Sequence, residues 1–199
     1  MPDAFEIERR ETCFKGFFQL DRFVVRHQRF DGGWTPPLRR EVFLRGRAVA
    51  LLPYDPVRDR VALVEQFRIG AAAAGRPPWL IEIPAGIIDQ GETDEEVARR
   101  EAKEEAGLEL FDIEPITEFM PSPGGSSEVV SVLAARIDRQ EVSGIFGVDH
   151  EGEDIRAHYP TADEAFEWVR SNRIDTSFSI IALQWLMLNR DRLRQAWLP

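Results

Sequence analysis

A single cysteine, Cys13, stands in the 199-residue chain, so no intrachain disulfide can form and the fold must rest on packing. Long apolar runs are missing too. The longest, "IIALQWLML" at 180–188, is interrupted by Gln184 and falls far short of a bilayer span. The opening "MPDAFEIERRETC" has no apolar core of a signal peptide, so a soluble, cytoplasmic protein with no membrane partner is expected. Positive charge is scarce. The 25 Lys and Arg against 35 Asp and Glu leave a net charge of −10, which argues against loose binding to nucleic acid. An anionic substrate would need a recruited cation, and a divalent metal is the simplest one.

What is present reads as a mixture of strands and helices. The length suits one domain with a good core, or a domain plus a small extension. Residues 14–30, "FKGFFQLDRFVVRHQRF", are rich in aromatic and β-branched types and predict strands, and "DGGWTPPLRR" after them predicts a loop. "REVFLRGRAVALLPYDPVRDRVALVEQFR" predicts two or three strands with "DPVRD" as the turn before the last. "GAAAAG" at 70–75 reads as a small-residue loop, and "PWLIEIPAG" as a short apolar strand ending at Gly86. A helix over 93–106 has clear ends, with Thr93 and Glu96 forming a capping box and Gly107 suited to the C′ position. Strands at 128–137 and 153–159 follow, then a helix over 161–172 capped by Thr161 and Glu164, and a longer apolar-sided helix beginning at "SIIALQWL". There is no internal repeat. Strands and helices without strict alternation favour an α/β fold with a mixed sheet flanked by helices.

The helix "GETDEEVARREAKEEAG" concentrates negative charge. Glu101 neighbours both Glu104 and Glu105 at helical spacing, and each like-charge pair costs roughly 0.2–0.5 kcal/mol. Arg100 and Lys103 are expected elsewhere on the circumference. A solvated acidic face is the plain alternative. Three carboxylates at i, i+3 and i+4, however, offer the oxygen ligands that Mg²⁺ shares with substrate phosphates and water.

The surroundings favour the metal. Residues 86–108 fit the Nudix box, with Gly86, Glu92, Arg100, Glu101, Ala102, Glu104, Glu105, Gly107 and Leu108 in its specified places. A chance match is on the order of 10⁻⁸ per start position at ordinary residue usage. Ala102 is a small filler at an aliphatic position. The stretch thus resembles the Nudix hydrolase family, whose loop-helix-loop binds Mg²⁺, or Mn²⁺, against a diphosphate. The resemblance implies a Nudix-type α/β/α sandwich with a mixed sheet. It also implies metal ligation by Glu101 and Glu105, with Glu104 nearby and the carbonyl of Ala85 completing one site. Glu92 and Arg100 would orient the helix and its loop, while Gly86 and Gly107 would serve the chain's conformation.

The flanks are similar to the ADP-ribose diphosphatase branch of that family, from residue 14 to the last helix. They include "VEQFRIG", "EIPAG", "PSPGGSSE", "EDIRAHY" and "IDTSFSIIALQWL". That branch implies a small N-terminal antiparallel strand domain (1–47) swapped between the chains of a homodimer, followed by the Nudix hydrolase domain (48–199). Phe17 and Phe18 match positions that hold the adenine, although both also read as ordinary strand core. Arg40 and Glu41 match residues contributed across the dimer. Arg45 and Arg68 match positions near the phosphates and terminal ribose. Ile87, Ser122, Pro123, Gly124 and Glu128 match further substrate contacts. The general base falls on the loop "DHEGEDIR", with Glu151 at the base position, His150 as its rival, and Glu153 as a carboxylate that joins the metals.

Two classes of function follow from the resemblance. One is a Mg²⁺-dependent diphosphatase giving AMP and ribose 5-phosphate from ADP-ribose, or acting on another nucleotide sugar such as GDP-mannose. The other is a nucleotide-sugar sensor that does not cleave. The complete set of box carboxylates and the unfavourable charge for DNA weigh toward the enzyme.

Overall fold

The computed structural model describes residues 3–138, 142–148 and 152–198. The chain divides into two compact units, Met1–Arg47 with Met120–Val129, and Ala48–Phe119 with Val130–Pro199.

The first unit is built on an antiparallel sheet of β1 (Phe5–Lys15), β2 (Gln19–His27) and β3 (Leu38–Leu44), in that order. The strand signal at 14–30 resolves into a hairpin that turns at 16–18, where the Gly16 amide donates to the Phe18 carbonyl at 2.8 Å. β1 starts earlier than the sequence suggests because it is an almost wholly exposed edge whose charged residues hide the apolar alternation. The segment 120–129 is stitched to β3, the Phe43 amide donating to the Gly125 carbonyl and the Ser127 amide to the Phe43 carbonyl.

The second unit follows with β4 (Arg47–Asp55), β5 (Arg60–Val61), β6 (Leu63–Phe67), α1 (Ile69–Ala73), β7 (Trp79–Glu82), β8 (Ala85–Ile87), α2 (Asp94–Ala106), β9 (Phe111–Phe119), β10 (Val129–Arg136), β11 (Gly144–Phe146), β12 (Ile155–His158), α3 (Ala162–Arg170) and α4 (Ser177–Trp197). One sheet has the order β5-β4-β10-β9, with β8 also pairing β4, and a second has the order β11-β12-β6-β7. Alternation along β4 divides the core. Ala50, Leu52 and Tyr54 pack with Ala162, Ala165 and Phe166 of α3 and Ala182, Leu183 and Leu186 of α4. Val49 and Leu51 pack with Val97, Ala98, Ala102 and Ala106 of α2. This is the expected α/β/α layering, and it places α2 against the face opposite α3 and α4.

One further element departs from expectation. The alanine run at 70–75 forms the five-residue helix α1 rather than a loop, because alanine has the highest helix propensity even where nothing is buried. β9, carrying Pro115, lies at the end of its sheet, where a missing N–H is tolerated. Among the described residues no helix is long and apolar enough to cross a membrane.

Candidate active site

α2 is held at both ends by local bonds. The Thr93 hydroxyl accepts from the Glu96 amide at 3.3 Å, and the Glu96 carboxylate accepts from the Thr93 amide at 2.8 Å. Gly107 closes the helix in the left-handed region (φ 64°), its amide donating to the Lys103 carbonyl while the Leu108 amide reaches Ala102. The face turned to the sheet carries Val97, Ala98, Ala102 and Ala106 together with Glu101 and Glu105. Ala102 is fully buried there, so the small residue at the box's aliphatic position suits a close helix–sheet approach.

Glu105 is 2% exposed. Its Oε2 accepts from the Ala85 amide at 3.1 Å and its Oε1 from the Gln66 side-chain amide at 3.2 Å. Burial, then the neighbouring Glu101 charge, pushes its carboxyl up to about 8. Burial raises Glu101 as well; Arg100 opposes the rise, while Glu104 and Glu153 add to it. Two adjoining acids buried this deeply are poorly disposed to charge without a cation.

Arg100 does not stand apart from the acidic face as expected. Its flexible stem brings Nη1 to Glu101 Oε1 at 2.6 Å and to Glu104 Oε2 at 3.4 Å. Its Nε and Nη2 reach Glu92 at 3.2 and 3.3 Å, and Nη2 also donates to the Ile87 carbonyl at 3.3 Å. Glu92 accepts from the Asp89 amide too, so one guanidinium ties the loop before the helix to the helix itself. At Gly86 a Cβ would lie 1.7 Å from Glu101 Oε1, so no side chain fits there while Glu101 keeps its place.

The segment after β10 also reaches α2. The Gly147 amide donates to the Glu104 carbonyl at 3.1 Å, and the Glu153 carboxylate accepts from the Val148 amide at 3.1 Å. Glu151, and its rival His150, lie outside the described residues. On β6, Arg68 follows the strand and its Nε donates to Glu82 at 2.7 Å, a carboxylate only 3% exposed that burial raises.

The donor set around Glu101 and Glu105 consists of oxygens, which suits a hard divalent ion. Their carboxylates do not yet converge: among the described residues no three acidic, histidine or cysteine side chains gather around one point. Glu101 and Glu104 share Arg100 instead, and Glu105 faces Gln66 and Ala85.

A second group of expected site residues meets within the first unit. Phe17, 88% exposed, stacks edge-on against Phe18 with centroids 4.7 Å apart. The Arg45 guanidinium lies 4.8 Å over the Phe18 ring and 3.3 Å from the Glu128 carboxylate. Ser127 fixes the Arg45 backbone, accepting from its amide and donating to its carbonyl, both at 3.0 Å. Ser122, Pro123 and Gly124 form the exposed turn before this segment, closed by the Gly125 and Ser126 amides on the Ser122 carbonyl. Arg40 and Glu41 are not part of the cluster. Arg40 donates to the Arg39 carbonyl, and Glu41 pairs with Arg22 at 2.9 Å. Gln66, Glu82 and Ser127 are the residues that sequence reasoning missed. Alternation along "LVEQF" places Gln66 on the face of Val64, which was the one available signal.

Comparison with known proteins identifies the family. The chain is 48% identical over 192 residues to an ADP-ribose pyrophosphatase of Escherichia coli (strain K12), covering 96% of this chain and 92% of that protein. An ADP-ribose pyrophosphatase of Haemophilus influenzae (strain ATCC 51907 / DSM 11121 / KW20 / Rd) is 40% identical over 195 residues, covering 96% and 90%. A GDP-mannose pyrophosphatase of Enterobacter sp. (strain 638) is more distant, 32% identical over 173 residues, covering 84% and 89%. A crystal structure of an ADP compounds hydrolase superposes with a TM-score of 0.73 at 19% identity, covering 98% of this chain and 97% of that one, which speaks for the fold alone. Residues 44–183 match the NUDIX domain, and with the box carboxylates of Glu101 and Glu105 buried on α2, the chain belongs to the NUDIX family.

Proposed function

We propose that this protein hydrolyses the diphosphate of ADP-ribose to AMP and ribose 5-phosphate, using Mg²⁺, with Mn²⁺ as the alternative ion. The observation that carries the reading is the buried Glu101–Glu105 pair beside Gly86, two adjoining acids that a bound cation would allow to charge together. The relatives named as ADP-ribose pyrophosphatases, at 48% and 40% identity, favour ADP-ribose over GDP-mannose, whose named relatives stand at about a third.

In this reading Glu101 and Glu105 are the principal ligands, joined by Glu104, the Ala85 carbonyl and Glu153. A divalent ion held by these groups would supply charge neutralisation for the diphosphate and a more acidic water. Glu151 accepts the water proton as the water oxygen bonds to phosphorus and the bridging phosphorus–oxygen bond breaks. Arg100, already bonded to Glu101 and Glu104, must yield part of that contact. Phe17 and Phe18 hold the adenine, with Arg40, Glu41, Arg45, Arg68, Ile87, Ser122, Pro123, Gly124 and Glu128 completing the substrate contacts. The N-terminal strand domain (1–47) is swapped between two copies of the chain, the Nudix domain (48–199) follows it, and the enzyme works in the cytoplasm without nucleic acid.

The test is a panel of ADP-ribose, GDP-mannose, ADP-glucose and NADH with Mg²⁺. ADP-ribose should have the highest kcat/KM. A preference for GDP-mannose would move the chain to the alternative substrate, and turnover of none would leave only a sensor.

A further inference from the structure

Gln66 stands on β6 where the inward residues are otherwise aliphatic, two places after Val64, which packs with α2. It is 6% exposed. A buried amide in such a place is costly unless it is hydrogen-bonded, so its bond identifies its use. That bond goes to Glu105 Oε1 at 3.2 Å, while the Ala85 amide holds Oε2 at 3.1 Å. One donor on each oxygen stops rotation about the broad terminal torsion of the glutamate. A carboxylate offers about four lone-pair positions, so two remain for a cation. The donor is also neutral. A lysine or arginine in its place would compete with the cation for Glu105, and the nearby Arg68 is instead committed to Glu82.

We propose that Gln66 is a positioning residue for the metal site, setting the plane of the Glu105 carboxylate through a buried bond from β6. This rests on the reading of Glu105 as a metal ligand. Partners that orient a metal ligand are worth about 10–100-fold in metal affinity.

Gln66→Met keeps the bulk and removes the donor. Mn²⁺ titrated into the purified full chain without substrate should bind about 10–100-fold more weakly than in the wild type. The Mg²⁺ concentration giving half-maximal ADP-ribose hydrolysis should rise by a similar factor, with turnover recovering as Mg²⁺ is raised. In a Glu105→Gln background the same change should cost little further affinity, because the charged ligand whose plane Gln66 sets is already gone. Melting in EDTA establishes folding. If Gln66→Met fails to fold, Gln66→Asn, whose amide falls one methylene short, takes its place with the same expected shift. A folded variant with wild-type Mn²⁺ affinity overturns the proposal, as does a full additional loss in the Glu105→Gln background. A wild type that binds Mn²⁺ but ignores ADP-ribose would sink the substrate reading and leave this inference standing. If the wild type cleaves ADP-ribose and the variant's metal affinity is unchanged, only this inference falls.

Discussion

Gly86→Ala separates the cost to the fold from the cost to the site. The added Cβ would lie 1.7 Å from Glu101 Oε1, 2.2 Å from Cδ and 2.7 Å from Cγ, where real contacts start near 3.0 Å, so the carboxylate must withdraw by roughly 1.3 Å. Gly86 is not held in the left-handed region, so the substitution adds no backbone strain. The colliding atoms are the far end of a flexible side chain, so the stability loss should fall at the low end of the overpacking range, about 1 kcal/mol. Activity should suffer much more. Misplacing a reacting or ligating group by about 1 Å costs on the order of 10²-fold, so kcat/KM should fall by at least that much. Urea denaturation and ADP-ribose hydrolysis at saturating Mg²⁺ measure the two effects. Adding Glu101→Ala to Gly86→Ala should recover the stability lost to the clash, and activity should be no lower than in Glu101→Ala alone. Gly86→Ala with wild-type turnover would refute the reasoning, because Glu101 could then not be held where a metal needs it.

Three further outcomes are expected. Glu151→Gln should lower kcat by about 10²–10⁴ with KM within a few-fold, and finding that pattern in His150→Ala instead would reassign the base. Arg40→Ala and Glu101→Gln should each be nearly inactive, yet co-refolding equal amounts should restore about a quarter of the sites if the N-terminal unit is swapped in a two-fold dimer. Mixed dimers without recovered activity would exclude the swap. Asp55 is raised by burial but held below its ordinary value near 3.8 overall by bonds from Arg58, Tyr159 and the Val57 amide. Its contribution to stability is therefore full above the unfolded value and is lost as pH falls through the lower folded value. The stability gap between wild type and Asp55→Asn should thus narrow below about pH 4, and a gap that stays constant into strong acid would refute this.

The acidic helix was legible because its information is local. The capping pair Thr93 and Glu96, the closing Gly107 and the i, i+3, i+4 glutamates are all set by spacings within a few residues. The layering of β4 was not legible, because the strand is apolar on both faces, and only the packed structure sends Leu51 and Leu52 to opposite sides. Where charge hid the apolar alternation, as along β1, the start of the strand was placed too late, and where alanine propensity acted without burial, as in α1, a helix was read as a loop. Tertiary structure alone decided which partners meet. Gln66 and Glu105 are 39 positions apart, and Arg45 and Ser127 are 82 apart. Gly86 excludes a side chain only because Glu101 packs over it. Even Arg100, adjacent to Glu101 in sequence, took its position from Glu92 and the Ile87 carbonyl as well as from its own helix. Spacing along a chain specifies which residues share a face, but strand pairing and helix docking bring distant faces together, and those contacts placed the partners of the carboxylates.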